Sequence, residues 1–169
     1  MLPLPNKPAF NLADPAQYWI NAAQTYNGLR GCGAGNALTI GAMANADMEA
    51  AMNPTAIGDK DTAFNLWQWH WEPRGVFILA RTGVDVRSER SIKKICGALW
   101  FELNNVRAYA TGFRSMKAAN TAAMAARIFC TTIEGAGAAD AADRRALDAD
   151  FWVTWVSKFP QFIAAHPAQ

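Results

Sequence analysis

The sequence predicts a mainly α chain with at most a short hairpin, and three observations carry that prediction. Residues Asn36 to Met52 are helix-compatible and apolar almost all round, as in a helix enclosed by others. Ser91 to Val106 sets Ile92, Ile95, Leu99, Leu103 and Val106 at steps of three and four, the period of an amphipathic helix. Only Thr55 to Arg74 loses that period: Gly58, Asp59, Asp61 and Pro73 interrupt an aromatic-rich stretch that reads as a long loop or short hairpin, the kind of segment that often carries function.

The remaining elements follow in chain order. Residues 1–13 hold three of their prolines in the first eight positions and read as an extended arm. Asp14-Pro15 then offers an N-cap followed by proline at the first helical position, opening a short helix through Tyr18, Ile20 and Ala23. Gly31 to Gly35 is a flexible connection without the spacing of a dinucleotide loop. Asn53-Pro54 is expected to end the central helix, because the residue before proline is pushed out of the α region. A short helix from Gly75 to Arg81 closes at Gly83. Lys117 to Glu134 reads as one Ala-rich helix ending at Gly135, and Asp140 to Phe159 as the last long helix, packing Leu147, Phe151, Trp152, Trp155 and Val156 before Pro160 stops it.

Composition narrows the functions available. A chain of 169 residues fits one domain, with 51% apolar residues to build the core and 11% aromatic residues to share between core and cleft. A net charge of +2 without a dense basic block gives nucleic acid no electrostatic footprint. Cys32, Cys96 and Cys130 are far apart and odd in number, which points to buried reduced thiols. No stretch has the roughly 18 consecutive apolar residues of a membrane span, so stable membrane insertion is not expected. The run Phe151 to Phe159 carries a single lysine and reads as core rather than as a membrane-active helix. The proline-rich start lacks the apolar run of a secretory signal, so synthesis in the cytoplasm and delivery to the outside by another route is the expectation.

Two histidines, His70 and His166, are too few for a three-histidine or His-Glu-x-x-His metal site, and no Gly-x-Ser-x-Gly elbow is present. No cofactor is expected. Carboxylate chemistry remains, in which one carboxyl group keeps a proton near neutral pH and passes it to a departing sugar oxygen. Glu49 suits that role. It shares a helical stripe with Leu38, Ala42 and Ala46, whereas Asp47 points nearly opposite and is free to be solvated. Burial and the negative end of the helix dipole both favour a protonated Glu49. The alternative is a semi-buried carboxylate bonded to backbone amides or to an arginine such as Arg74.

The order Glu49-Ala-Ala-Met-Asn-Pro54, then Gly58-Asp59, then Asp61-Thr-Ala-Phe-Asn-Leu-Trp-Gln-Trp-His70 and Arg74 resembles the phage tail lysozyme family. In that family a helix-ending Glu-Ser-Gly-Phe-Asn-Pro-like motif precedes a Gly-Asp turn and an Ala-Phe-Gly-Leu-x-Gln-Trp-His-like strand or loop. More distantly the pattern is similar to goose-type lysozymes and lytic transglycosylases. The strongest identity lies in residues 49–74, with weaker likeness running on through Thr82 to Val86 and Trp100 to Leu103 towards Arg144-Arg145. Ala50 stands where the family usually has Ser, and Asn65 where it usually has Gly. The first removes a hydroxyl beside the glutamate, and the second adds a side chain where backbone and sugar would approach closely.

The resemblance implies a lysozyme-like fold around a central buried helix bearing the catalytic Glu49, and a half-desolvated acid beside an open groove. Its substrate would be bacterial peptidoglycan, cut between N-acetylmuramic acid and N-acetylglucosamine, by a monomer that is either a free lysin or part of a phage tail. Gln68 would bond a sugar or position water, and Trp67, Trp69 and His70 would line the groove. Alternation along an extended segment, however, sends Gln68 and His70 to one face and Trp67 and Trp69 to the other, so at least one tryptophan belongs to the core. Asp59, Asp61, Glu102 and Glu134 compete as second carboxylate, the two loop aspartates being better placed to hold water and Glu102 to pair with Arg107 or Arg74. Three activities stay open: a muramidase, a lytic transglycosylase, and a wall-binding or virion module without turnover. An amidase or endopeptidase is disfavoured by the missing zinc ligands and Cys-His pair.

Overall fold

The computed structural model describes residues 14–135 and 139–169; the N-terminal arm, residues 1–13, lies outside them. Eight α-helices and one small sheet make up the described regular structure, together with a short 3-10 turn at Arg107–Tyr109 and a π-type turn at Trp71–Gly75. The mainly α expectation holds.

Helix α1, Pro15–Gly31, is capped as its sequence requires, with the Asp14 carboxylate accepting from the amides of Ala16 and Gln17 and Pro15 at the first helical position. It runs well beyond Ala23 because its buried face continues through Thr25, Gly28 and Leu29, packed against α4. A tight turn leads into α2, Asn36–Ala50, which is buried from Leu38 to Asp47 without a break. Helices α6, Ala122–Thr132, and α7, Ala139–Lys158, form the main packing around it. At Gly41 a side-chain carbon would meet the Ala126 backbone nitrogen at 2.7 Å, so α2 and α6 cross with their backbones nearly touching.

The central helix ends earlier than Asn53-Pro54 would require. Ala51 and Met52 take left-handed backbone angles, φ 47° and 56°, and the Ala51 amide closes the last turn on the Asp47 carbonyl. Met52 is then fully buried and its carbonyl accepts from the Asn21 side chain, at 2.9 Å. Burial of that side chain and the bond from Asn21 help offset the cost of the left-handed angles.

Three two-residue strands follow: β1 Ile57–Gly58, β2 Ala63–Phe64 and β3 Trp69–His70, paired antiparallel in that order, with Ile57 opposite Phe64 and Phe64 opposite Trp69. Helix α3, Val76–Thr82, stops at left-handed Gly83, as expected. Helix α4, Ile92–Asn105, buries Ile92, Ile95, Leu99 and Leu103.

Two expectations about the C-terminal half are corrected. The stretch Lys117 to Glu134 is not one helix: α5, Ala110–Ala118, contains Lys117, and α6 starts at Ala122 with the Thr121 hydroxyl capping the Met124 amide. Leu147 is not packed but 72% exposed, while Trp152 and Trp155 are buried, with Trp19 stacked on Trp155 at 5.5 Å. Burying such an aromatic side chain contributes roughly 1.5–3 kcal/mol. Pro160 ends α7 and also opens α8, Pro160–Ala165. Cys96 and Cys130 are buried thiols, and Cys32 is half-buried.

Candidate active site

The last turn of α2 presents two carboxylates, and their surroundings reverse part of the sequence expectation. Asp47 is not solvated; it is completely buried, accepting from the Tyr18 hydroxyl at 2.9 and 3.0 Å and from the Trp152 indole at 3.2 Å. The same indole donates to Asp148 at 2.9 Å, which brings the Asp148 carboxylate beside Asp47. Burial, reinforced by the Asp148 charge, pushes the Tyr18 hydroxyl far above its ordinary range and keeps it a donor. With helices on every side of α2, the face opposite Glu49 has no route to water.

Glu49 itself is half-buried, its side chain 24% exposed, and its Oε1 accepts from Arg145 Nη2 on α7. The pairing arginine is therefore Arg145 and not Arg74. Arg145 also donates to its own helix at Ala141, while its Nε is buried with no partner among the described residues. An acid role for Glu49 has to reckon with that guanidinium.

Arg74 is engaged elsewhere. Its Nε and Nη2 hold the two oxygens of Glu102 at 2.8 and 3.0 Å, and the Trp69 indole donates to the same carboxylate at 2.9 Å. Burial works against the Arg74 charge, but the bond and charge of Glu102, helped by Glu134, more than offset it and hold the guanidinium above its ordinary value. Glu102 is thus a buried partner of Arg74, one of the two arginines the sequence offered. Trp69 and Trp67 are both fully buried, the second donating to the Ala42 carbonyl at 3.2 Å. Neither lines a groove, which corrects their expected role: each points into the packing of α2 and α4, and alternation places them on the inner face.

Glu134, just past α6, is the third carboxylate of this region. Its Oε1 is inaccessible to water and has no hydrogen-bond partner among the described residues. Burial pushes its carboxyl up to about 8, the charges of Glu49 and Glu102 adding to the rise while Arg74 and Arg145 oppose it. Three glutamates thus interact with two arginines, and burial favours the protonated form of Glu134.

On the hairpin, Asp59, Lys60 and Asp61 all take positive φ, from 46° to 67°, and turn the chain sharply between β1 and β2. Asp59 Oδ2 lies 3.2 Å from His70 Nε2, both side chains being largely exposed at 70% and 51%. Asp61 and His70, with Trp71 and Arg87, line a concavity of about 590 Å³. Arg87 stacks 3.5 Å over the Trp71 ring. A second concavity, about 460 Å³, is lined by Arg74, Glu102, Phe77 and Tyr109. Gln68 is half-buried, and its amide donates to the Asn65 carbonyl at 2.9 Å, so that a carbon added at Gly58 would overlap its Oε1. In this state its nitrogen holds the hairpin together.

Asn65 turns out to fit the glycine position of the motif. Its φ is 75°, an angle asparagine tolerates, and its buried side chain faces away from the hairpin surface to donate to the carbonyls of Val86 and Glu89. The expected obstruction at the sugar side is corrected accordingly. Ala50 is buried in the helix packing.

The partner that sequence reasoning missed is Arg145. Its signal was present, a cation at the helical spacing of Ala141, Ala149 and Trp152 on the buried stripe of α7. Among the described residues no group of three histidines, cysteines or acids is placed to hold a metal ion, and no helix is long and apolar enough to cross a membrane.

A family model described as phage tail lysozyme matches residues 20–156, a stretch that holds Glu49, the hairpin, Arg74, Glu102, Glu134 and Arg145. No curated protein and no solved structure matches the chain. Because the match spans most of the sequence, from α1 into the last turn of α7, the chain belongs to the phage tail lysozyme family.

Proposed function

We propose that the protein is a peptidoglycan glycosidase of the muramidase kind, in which Glu49 donates the proton to the oxygen between N-acetylmuramic acid and N-acetylglucosamine. The observation that carries this reading is the position of Glu49. It is a half-exposed carboxylate at the end of the central helix, within electrostatic reach of a second, protonated carboxyl group, Glu134. Family membership supplies the coarser part, a lysozyme-like, wall-lytic function with peptidoglycan as substrate and an association with phage particles.

Asp59 and Asp61 are the proposed second carboxylates, as exposed hairpin groups able to hold an attacking water. Replacement separates them from structural turn formers. Asp59→Asn or Asp61→Asn should lower turnover of whichever one holds water, while leaving the melting temperature nearly unchanged, because both side chains are exposed and the Asp59–His70 contact is worth at most about 1 kcal/mol. His70 and Gln68 are proposed to contact sugar from the same outer face.

One observation favours a second reading, a wall-binding module without turnover: Glu49 is held by Arg145. Mass analysis of purified cell walls after digestion distinguishes the cases. Reducing N-acetylmuramic ends are expected. Anhydro ends would instead make the chain a lytic transglycosylase, and intact glycan with the protein bound to it would make the chain a binding module.

A further inference from the structure

The ion pair on Glu49 leaves two complementary atoms unsatisfied. Arg145 Nε is a buried donor without a partner and Glu134 Oε1 a buried acceptor without one, and the two side chains interact electrostatically. Buried polar atoms lacking partners are uncommon and costly. Here a donor and an acceptor are left over among groups that interact electrostatically with one another and with Glu49, the carboxylate proposed to carry a proton during glycosidic cleavage.

We infer that Arg145 is a two-position guanidinium that arms Glu49 by moving from Glu49 to Glu134 as a single proton passes from Glu134 to Glu49. This rests on the proposed role of Glu49. The exchange is balanced: the O–H bond of Glu134 breaks, an O–H bond on Glu49 forms, and the positive charge follows the carboxylate it neutralises. The three groups sum to zero charge before and after. A sugar entering beside Glu49 favours the second arrangement because a neutral carboxyl group donates to the glycosidic oxygen, whereas an ion-paired carboxylate does not.

The titratable and charged groups that interact electrostatically with Glu134 come from six elements. They are Glu49 on α2, Arg74 on the turn before α3, Glu102 on α4, Tyr109 on the 3-10 turn, Cys130 on α6 and Arg145 on α7. Arg74 is already bound through two bonds to Glu102, so Arg145, bonded to Glu49 through one nitrogen and with its buried Nε unpartnered among the described residues, is the less committed cation. Glu134 is then a positioning residue and proton store, acting through Glu49 without touching substrate.

The test is a pH–rate profile of wall digestion for wild type, Glu134→Gln and the double variant Glu134→Gln with Arg145→Met. In wild type the alkaline limb should lie near the Glu134 titration, at about 8. Glu134→Gln should move that limb at least about one unit towards acid and lower kcat at pH 7 by about tenfold or more with KM little changed. The double variant should recover much of the loss, because a Glu49 freed of the guanidinium holds its own proton. A wild-type profile in Glu134→Gln, or a uniform loss at every pH, overturns the inference. Should wild type cut no wall at all, the muramidase reading fails separately, and carboxyl carbon NMR on the full chain with and without chitotetraose decides the exchange. Coupled two-step titrations at Glu49 and Glu134 support it, and a single independent step at each overturns it.

Discussion

Two arginine–glutamate pairs act on Glu134, and they are built differently. Arg74 grips Glu102 through two parallel bonds, the carboxylate is sealed from water, and the Trp69 indole takes up a further lone pair. Arg145 holds Glu49 through one nitrogen, keeps a donor unsatisfied, and leaves the carboxylate partly open to solvent. The first pair is saturated and fixed by its packing. The second lacks those restraints, and the difference separates a saturated pair that ties the hairpin to α4 from one with a donor left uncommitted.

That contrast can be broken by removing each glutamate in turn. Glu102→Ala strands Arg74 and the Trp69 indole in the interior and should destabilise the fold by about 3–5 kcal/mol, read as a large fall in melting temperature or denaturant midpoint. A fall no larger than that of an exposed surface pair would mean that the Arg74 pair is not the structural one.

A more gradual effect, spread over several pH units, comes from the carboxyl group that interacts with both pairs. Folding raises the Glu134 titration from 4.5 to about 8, so over that window the native state keeps a proton that the unfolded chain has lost. Stability is greatest below the lower value and declines as pH rises through the window, by at most about 1.4 kcal/mol per unit, before levelling above it. Melting curves between pH 5 and 8 should show this slope in wild type and a flatter one in Glu134→Gln. Equal slopes would place the proton elsewhere.

The smallest expected change in stability is that of Glu49→Gln. Glu49 is partly exposed and singly bonded, and the Gln amide oxygen still accepts from the buried Arg145, so the variant should lose only roughly 1–3 kcal/mol by denaturant titration. A cost as large as that of Glu102→Ala would erase the distinction between the pairs.

Much of this arrangement was legible in the sequence wherever a local signal decides the outcome. Asp14-Pro15, the step-three-and-four pattern of α4, Gly83 and the all-round apolar α2 each act within one or two turns of chain, and each gives the element it announces. The break at Asn120-Thr121 is a capping signal inside an Ala-rich stretch, overridden in reading by the helical composition on both sides. The site was legible in part. Glu49 and the hairpin were singled out by motif, and Glu102 by helical face as a partner for Arg74 or Arg107, of which Arg74 holds it. The burial of Asp47 and the Arg145 partner depend on how α1, α6 and α7 close around α2, across separations of 29 and 96 residues that no local pattern encodes. Trp67 and Trp69 show the same limit: alternation placed them together, but only packing against α2 and α4 makes that face the interior.

The central claim, that Glu49 supplies the proton for glycan cleavage, is tested most directly by digesting purified peptidoglycan with wild type and Glu49→Gln and counting the glycan ends released. Wild type should release them, and the variant should release about a hundredfold fewer or less while remaining folded by circular dichroism. Equal release by both proteins would contradict the claim.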